Sequence, residues 1–382
     1  MIGRNVVDGR GYSFYSQESD GIVKVDESHT GLPIPSAFMP PAYTFVVAGA
    51  QSITGSDGGA KRLLQWVNVL AAAAAICLIY VLGRELFGRT AGVLAALGFA
   101  MYPVLVYQVT QASASNVYLP LDLAGLYLLL RLTRRPSLAR AVPAGLVAGA
   151  ICLFRAEAVV LIPLAAVWLI WALRRRQPGP ARRTVVLAFF FVSAIAMPAG
   201  WIGRNAVVLH GFSPAITSSS GFNLWVGNHA GSSGSQKRFP AESPDLLAKL
   251  SQIRRTPSYE LHRDRVYRTA ALSHVRGHLA HTALLDLKKL GMTITVDIYD
   301  HRARNPIYLS GGISLAALGI WGIVLRGGRS PDRLLLYGYM VFGLLVPSVF
   351  FTLVRYKLAL EVPLLLFAGS AVSSVVERRI DH

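Results

Sequence analysis

Nine apolar stretches divide this chain, and every second gap between them is rich in arginine. The stretches lie at 64–83, 90–108, 116–132, 141–154, 157–173, 184–203, 307–325, 334–353 and 358–376. A helix needs about 20 mostly apolar residues to cross a bilayer, and arginine beside a spanning helix keeps that end cytoplasmic. The alternation therefore predicts an all-α polytopic membrane protein with about nine transmembrane helices.

Five arginine-rich segments define the predicted cytoplasmic side: Arg84 and Arg89; Arg131, Arg134, Arg135 and Arg140; Arg174, Arg175, Arg176, Arg182 and Arg183; Arg326, Arg329 and Arg333; and Arg378 and Arg379. The C-terminus is then cytoplasmic. Four regions follow along the chain: an outer-face N-terminal segment at 1–63 with an interfacial helix at 42–50, a six-helix transmembrane region at 64–203, a large outer-face loop domain at 204–305 with short helices, and a three-helix transmembrane region at 306–382.

Composition excludes two other classes of protein. Hydrophobic residues make up 53% of the chain and charged residues 15%, which is too apolar for an ordinary soluble protein. The formal net charge of +18 comes mostly from the arginine-rich gaps, so orientation and contact with membrane lipids explain it without nucleic acid. Cys77 and Cys152 lie in separate apolar stretches and have no metal-site spacing.

Cations on the outer face are the first candidate site residues. Arg355 and Lys357 flank Tyr356 in a short outer turn, where the rest of the chain avoids positive charge. They could clamp a phosphate at the headgroup level, or they could anchor a helix end. Arg155 stands near Glu157 between two helices, and it is either a second phosphate contact or half of a self-neutralising turn pair.

A polar loop forms the second candidate. Arg204 and Asn205 end the sixth apolar stretch, and Gly221, Asn223, Gly227 and Asn228 follow in the loop domain. These glycines and asparagines fit either a sugar-binding loop or ordinary turn chemistry. His274, His278 and His281 share one helical face, as metal ligands can, but a solvated face explains them better and no metal is assigned.

Acidic residues matter because a transferred group needs a general base to accept the acceptor's proton. Asp26 and Glu27 are the only adjacent acids on the predicted outer face, and Asp8 is the other candidate. Asp122 and Glu361 lie inside apolar stretches. We expect Asp122 to be a buried, hydrogen-bonded acid and Glu361 to pair with a basic group of a neighbouring helix, although an intramembrane acid is also a functional candidate.

Several short stretches, in order along the chain, resemble the C-type membrane glycosyltransferases, in particular bacterial relatives of protein O-mannosyltransferases and aminoarabinose transferases. They are Gly9-Arg10-Gly11-Tyr12; Pro35 to Tyr43; Gly83 to Gly88; Leu153 to Glu157; Arg204-Asn205 with Gly221 to Leu224 and Gly227-Asn228; and Arg355 to Leu358 with Pro363.

The resemblance implies a reaction outside the bacterial cytoplasmic (inner) membrane. A sugar leaves a polyprenyl-phosphate carrier and passes to a lipid, glycan or protein acceptor. The resemblance also implies roles: Arg355, Lys357, Arg204 and Arg155 would bind the donor phosphate, and Tyr12, Asn205, Gly221, Asn223, Gly227, Asn228 and Tyr356 would line the sugar or acceptor side. The sequence identifies no cofactor and leaves a divalent metal open.

The chain departs from this family at two places. The family has a first spanning helix and a catalytic aspartate just before the Gly-x-Gly-Tyr stretch, and here Met1 lies eight residues before Gly9. Ser115 and Asn116 stand where the family tends to have a glutamate. We therefore interpret the chain as truncated and assign it no catalytic base. The alternatives are a non-catalytic lipid-binding or partner homologue, a transporter, and a polymerase or ligase of surface glycans.

Overall fold

The computed structural model of the protein describes residues 2–19, 22–25, 33–177, 179–238 and 241–380. The acid pair Asp26 and Glu27 lies outside them. Sixteen α-helices dominate the described chain. They are α1 (Ile2–Val7), α2 (Pro41–Thr54), α3 (Asp57–Phe87), α4 (Arg89–Met101), α5 (Pro103–Val109), α6 (Ala114–Arg134), α7 (Leu138–Phe154), α8 (Leu161–Arg176), α9 (Pro180–Val208), α10 (Ser220–Gly227), α11 (Pro244–Ser251), α12 (Tyr259–Gly277), α13 (Leu279–Ile294), α14 (Pro306–Arg326), α15 (Pro331–Val349) and α16 (Val354–Ile380).

Helices cover most of every predicted apolar stretch, and the protein is an all-α polytopic membrane protein. Within the described ranges, six helices are long and apolar enough to cross a membrane, or seven if α4 and α5 form one span bent by 60°. Pro103 begins α5 at that bend. The α7 helix has 17 residues, and α6 contains Asn116 and Asp122. These features explain why fewer than nine helices meet the criterion.

The arginine-rich gaps meet at one end of the bundle, as their alternation predicts. Arg134 at the end of α6 contacts Glu85 near the end of α3, and it lies 2.9 Å from Asp332 at the start of α15. Arg176 at the end of α8 lies 2.7 Å from the same Asp332 carboxylate. Four helices are therefore held together at this end by ion pairs between residues far apart in sequence.

The opposite end of the bundle carries the polar cap, by which we mean the described residues of 2–40 and 209–305. Helices α10 to α13 form most of it, in agreement with the short helices expected in the 204–305 segment. The cap also contains a three-stranded antiparallel sheet with strand order β2-β1-β3, which the sequence reasoning missed. Its strands are β1 (Ser13–Ser19), β2 (Ile22–Val25) and β3 (Pro33–Pro35).

Helix α16 lies at the centre of the bundle. It packs against α3, α4, α14 and α15. Of its most apolar 18-residue segment, 72% is buried inside the protein. Gly322 permits the close approach of α14, because a Cβ atom there would lie 2.0 Å from the carbonyl oxygen of Phe367. The predicted turn at 355–357 is wrong in one respect: the turn precedes Val354, and Arg355 to Lys357 already belong to the first turn of α16.

Candidate functional site

Arg155 is buried where α7 ends, and aromatic rings enclose its guanidinium group. The side chain is 3% exposed. Its Cζ atom lies 4.5 Å from the ring centre of Tyr118, and 5.6 Å from those of Phe342 and Tyr356. Such cation–π contacts hold a cation in an apolar environment. The predicted cation is therefore present at the cap end, but it lies below the surface.

Two carboxylates neutralise Arg155. Its Nε atom donates to Glu157 at 3.0 Å, and its Nη1 atom lies 3.7 Å from Oδ2 of Asp122. Tyr339 donates its hydroxyl hydrogen to the same Asp122 oxygen at 2.5 Å. The expectation of a buried, hydrogen-bonded Asp122 is thus confirmed. Nη1 and Nη2 of Arg155 have no hydrogen-bond partner among the described residues.

Arg355 joins this cluster from the first turn of α16. Its guanidinium carbon lies 5.4 Å from the ring centre of Tyr356, so Arg155 and Arg355 both contact that ring. Tyr118 donates its hydroxyl hydrogen to the backbone oxygen of Arg355 at 3.3 Å. The structure therefore brings together three of the predicted site residues, Arg155, Arg355 and Tyr356.

Lys357 faces a different space, which we call the α14–α16 pocket. Leu315, Leu360 and Leu364 are among its apolar lining residues. The Lys357 ammonium lies at the polar end and donates to the backbone oxygen of Thr295. An ammonium has three N–H donors, so this lysine keeps donors for a ligand. The pocket thus combines an apolar wall with a cation at one end.

Three acids also line the polar end of the α14–α16 pocket. Asp297 accepts from Ser235 at 2.5 Å and from Thr352 at 3.3 Å. Asp300 is 4% exposed. Glu361 accepts from the hydroxyl of Tyr102 at 2.8 Å and not from a basic group of another helix, so its predicted pairing is wrong.

Arg204 lies apart from these cations and ties the N-terminal segment to α9. It donates to the backbone oxygens of Ser36 at 2.7 Å and Tyr12 at 3.1 Å, and to Asn205 at 3.0 Å. Its guanidinium carbon lies 4.8 Å from the ring centre of Trp201. The buried Tyr12 hydroxyl donates to the backbone oxygen of Met39 at 2.9 Å, and burial raises the pKa of Tyr12 to about 12. In this arrangement the polar groups of Arg204 and Tyr12 form hydrogen bonds with other residues of the chain.

The loop Gly221–Asn228 forms α10 and packs closely against its neighbours. Gly221 donates its backbone N–H to Asp264 at 2.5 Å. At Gly227 an added Cβ atom would lie 1.4 Å from the carbonyl oxygen of Phe350. Asn228 donates to the backbone oxygens of Leu224 at 2.9 Å and Val349 at 2.7 Å. Close packing and hydrogen bonding within the chain therefore explain Gly221, Gly227 and Asn228. The side chain of Asn223 is half-buried.

Lys289 is a buried cation that the sequence reasoning missed. Its side chain is fully enclosed, and its ammonium donates to Asn228 Oδ1 at 3.1 Å and to Gly227 O at 3.3 Å. Burial lowers the pKa of Lys289. One signal in the sequence could have found it: Lys289 falls on the same helical face as Leu285 and Met292.

Glu260 is a second buried group that was missed, and it joins three segments of the polar cap. It accepts from Ser36 Oγ and from the backbone N–H of Ala37, each at 2.7 Å, and from Ser218 Oγ at 2.5 Å. Burial raises the pKa of the Glu260 carboxyl. Arg204 and Glu260 thus bind the same N-terminal segment, Arg204 at the backbone oxygen of Ser36 and Glu260 at its hydroxyl.

The remaining candidates lie at the surface of the polar cap. Asp8 is 3.6 Å from Arg10, in an open charged groove. His274 contacts His278, His281 and His229 with ring-centre distances of 4.5, 5.6 and 6.0 Å. Within the described residues, no group of three or more His, Cys, Asp or Glu side chains is arranged to hold a metal ion.

Comparison with known proteins gives two informative matches. Residues 39–201 match the sequence family described as dolichyl-phosphate-mannose-protein mannosyltransferase. The fold matches crystal structures of the oligosaccharyltransferase from Archaeoglobus fulgidus. The alignment with the apo form has 13% sequence identity and a TM-score of 0.57. It covers 99% of this chain and 46% of the oligosaccharyltransferase chain. The form in complex with an inhibitory peptide and a dolichol-phosphate has 13% identity, a TM-score of 0.59 and the same coverage.

Other comparisons add little. ArnT from Cupriavidus metallidurans, bound to undecaprenyl phosphate, is 15% identical, with 98% of this chain and 72% of that chain covered, but its TM-score of 0.33 carries no weight. Comparison with curated protein sequences gave no match. The chain spans less than half the length of the archaeal oligosaccharyltransferase. The predicted resemblance is nevertheless confirmed: the chain is similar to the C-type membrane glycosyltransferases in sequence over residues 39–201 and in fold over nearly its whole length.

Proposed function

We propose that this chain transfers a sugar from a polyprenyl-phosphate donor to a lipid, glycan or protein acceptor. The reaction would take place on the outer face of the bacterial cytoplasmic membrane, where the arginine alternation directs the polar cap. The observation that carries the proposal is the α14–α16 pocket, which joins an apolar wall to a lysine. A polyprenyl phosphate has the same division between an apolar chain and an anionic head.

Lys357 of α16 is the proposed phosphate ligand. Its ammonium lies in the pocket, whereas Arg355, two residues earlier, belongs to the Arg155 cluster. Leu360 and Leu364 continue the apolar wall of the pocket. The ammonium would stabilise the phosphate as it leaves the sugar with the bonding electrons. Arg155 and Arg355 are positioning residues in this proposal, because their contacts with Tyr118 and Tyr356 hold the first turn of α16.

The archaeal oligosaccharyltransferase supports this assignment. One of its structures is a complex with an inhibitory peptide and a dolichol-phosphate, and another is tethered to an acceptor peptide. That protein therefore combines a lipid-phosphate site and an acceptor site on a fold shared with this chain. The shared fold makes a polyprenyl phosphate the natural donor to test.

Binding of undecaprenyl phosphate to the purified chain in lipid nanodiscs tests the donor site. Loss of one charge-assisted contact weakens binding by about 10-fold, so Lys357→Ala should show this loss by native mass spectrometry. Lys249→Ala changes an exposed lysine of α11 and should bind as the unchanged protein does. Equal binding by the Lys357→Ala variant would contradict the proposed site.

A transfer assay separates an enzyme from a lipid-binding homologue. Undecaprenyl-phosphate mannose with a labelled sugar would be mixed with the chain and a bacterial membrane extract. Appearance of the label in an acceptor fraction supports the enzyme. Retained undecaprenyl phosphate binding without transfer from a panel of undecaprenyl-phosphate sugars supports a lipid-binding homologue. Movement of the unchanged donor across vesicles would instead indicate a transporter.

A further inference from the structure

A second pocket lies inside the helix bundle, and we call it the α6–α15 pocket. It is formed by α6, α7, α8 and α15, and its walls are apolar except at one end. Small residues create the space, because they leave room where larger side chains would fill the bundle. They are Gly125, Ala144, Ala148, Ala165 and Gly338.

Asp122 lies at the polar end of this pocket, and one of its two carboxylate oxygens has no hydrogen-bond partner among the described residues. Asp122 lines the pocket and is 3% exposed. Its Oδ2 atom accepts from Tyr339 and faces Arg155, whereas its Oδ1 atom has no hydrogen-bond partner among the described residues. A buried oxygen without a donor is costly, and a ligand that brings a donor removes that cost.

The charges around Asp122 restrict the ligand. Asp122 and Glu157 carry two negative charges, and Arg155 and Arg355 carry two positive charges in the same cluster. The local balance is therefore neutral. A charged head group would disturb that balance at membrane depth, where an uncompensated charge is strongly unfavourable. A neutral hydrogen-bond donor fits both the free oxygen and the charge balance.

The shape of the pocket suits a hydrocarbon chain. Along α6 it extends from Asp122 to Leu129, a rise of about 10 Å. Trp168 lies at the far end, and its indole N–H donates to the backbone oxygen of Pro331 at 2.8 Å, which fixes the ring. A chain whose head lies at Asp122 would therefore run towards the arginine-rich end of the bundle.

We infer that the α6–α15 pocket binds a long-chain alcohol, with its hydroxyl donating to Oδ1 of Asp122. The pocket shares no described lining residue with the α14–α16 pocket. The inferred site is thus separate from the proposed phosphate site and stands whether or not the chain transfers a sugar. A long-chain alcohol differs from the proposed donor in having no phosphate, so different probes report on the two sites.

Photo-crosslinking tests this site directly. The probe is 1-hexadecanol with a diazirine in the middle of the chain, added to the full chain in phosphatidylcholine nanodiscs. Its methyl ether and the corresponding carboxylate serve as comparison probes. We expect crosslinks to residues of α6, α8 and α15, with labelling roughly fivefold weaker for the ether, because it cannot donate a hydrogen bond. The ionised carboxylate should label these helices more weakly still.

A pair of glycine variants distinguishes the pocket from the general lipid surface. Gly338 lines the pocket and has no atom within 4 Å of an added Cβ, so Gly338→Leu can fill the space without a backbone clash. Gly203→Leu adds the same side chain at an exposed position of α9 that is equally open. We expect Gly338→Leu to remove most of the pocket labelling and Gly203→Leu to leave it unchanged.

Three results would overturn the inference. The first is labelling confined to other helices, and the second is equal labelling of the two glycine variants. The third is equal labelling by the alcohol and its ether, which would mean that Asp122 does not recognise the hydroxyl and that water or a plain hydrocarbon chain occupies the pocket.

Discussion

The ammonium nitrogen of Lys289 lies 3.1 Å from the side-chain oxygen of Asn228, although 61 positions separate these residues. The same nitrogen lies 3.4 Å from the backbone oxygen of Phe350. One enclosed lysine therefore joins α13, the end of α10 and the turn before α16. This contact fixes the polar cap to the helix that carries Arg355 and Lys357.

Lys289→Met should destabilise the protein by about 3 kcal/mol, because the buried oxygens around the ammonium lose their donor. The free energy of unfolding can be measured by denaturant titration in detergent. Lys288→Met is the matched control, since Lys288 is the adjacent lysine and its side chain is exposed. Similar unfolding midpoints for the two variants would show that Lys289 does not hold the cap.

Gly227→Ala should be more damaging than a typical glycine substitution. The added Cβ atom would lie 1.4 Å from the carbonyl oxygen of Phe350, which requires α10 to move away from the turn before α16. We expect a loss of about 3 kcal/mol or complete failure to fold. Gly200→Ala in α9 has no atom within 4 Å and should be neutral or slightly stabilising. Thermal unfolding followed by size-exclusion chromatography compares them, and a normal midpoint for Gly227→Ala would contradict the packing argument.

Glu260 should make the stability of the polar cap depend on pH. Burial raises the pKa of its carboxyl above the ordinary value of 4.5. The folded state therefore holds this proton more tightly than the unfolded state does. The contribution of this carboxyl to the free energy of unfolding is fully present below pH 4.5. It is lost as the pH rises through the higher pKa of the folded state.

Glu260→Gln keeps the shape of the side chain and cannot ionise, so this part of the pH dependence should disappear. The measurement is the unfolding midpoint as a function of pH from 4 to 8 for both proteins. Glu242→Gln provides a control with another cap glutamate. If the difference between Glu260→Gln and the unchanged protein stays constant across this range, the carboxyl has the same pKa in both states.

Arg204→Ala should loosen the N-terminal segment without unfolding the membrane helices. The guanidinium holds the backbone oxygens of Tyr12 and Ser36, so its loss frees the start of β1 and the end of β3. Amide hydrogen exchange at Ile34, Ser36 and Ala37 should become about 10-fold faster. Arg265→Ala, at an exposed position of α12, should leave the exchange rate unchanged. Unchanged exchange in Arg204→Ala would mean that Glu260 alone secures the segment.

The sequence predicts the membrane helices well because hydrophobic periodicity and arginine placement are local properties. Helices cover most of each of the nine apolar stretches. The sequence does not predict which helices pair with each other. Glu85 and Asp332 both accept hydrogen bonds from Arg134, and no local pattern indicates which arginine each acid contacts.

In the candidate site, too, local sequence patterns identify some residues, whereas tertiary contacts determine the role of others. Arg155 and Arg355 stand out in the sequence because cations interrupt apolar stretches, and the structure brings both into contact with Tyr356. Lys289 is harder to identify, because its position on the apolar face of α13 is the one local signal and a lysine in an amphipathic helix is normally solvated. Its burial depends on α10 and the turn at Phe350, which only the tertiary fold brings to it.

The central place of α16 has a consequence for biosynthesis. Domains are made from the N-terminus onwards, yet α3, α4, α14 and α15 all pack against α16, which follows all four of them in the sequence. During translation these four helices enter the membrane with their inner faces uncovered. The bundle can close only after the ribosome has released α16, so an early stop codon anywhere before Val354 would leave a partly assembled intermediate for membrane proteases to remove.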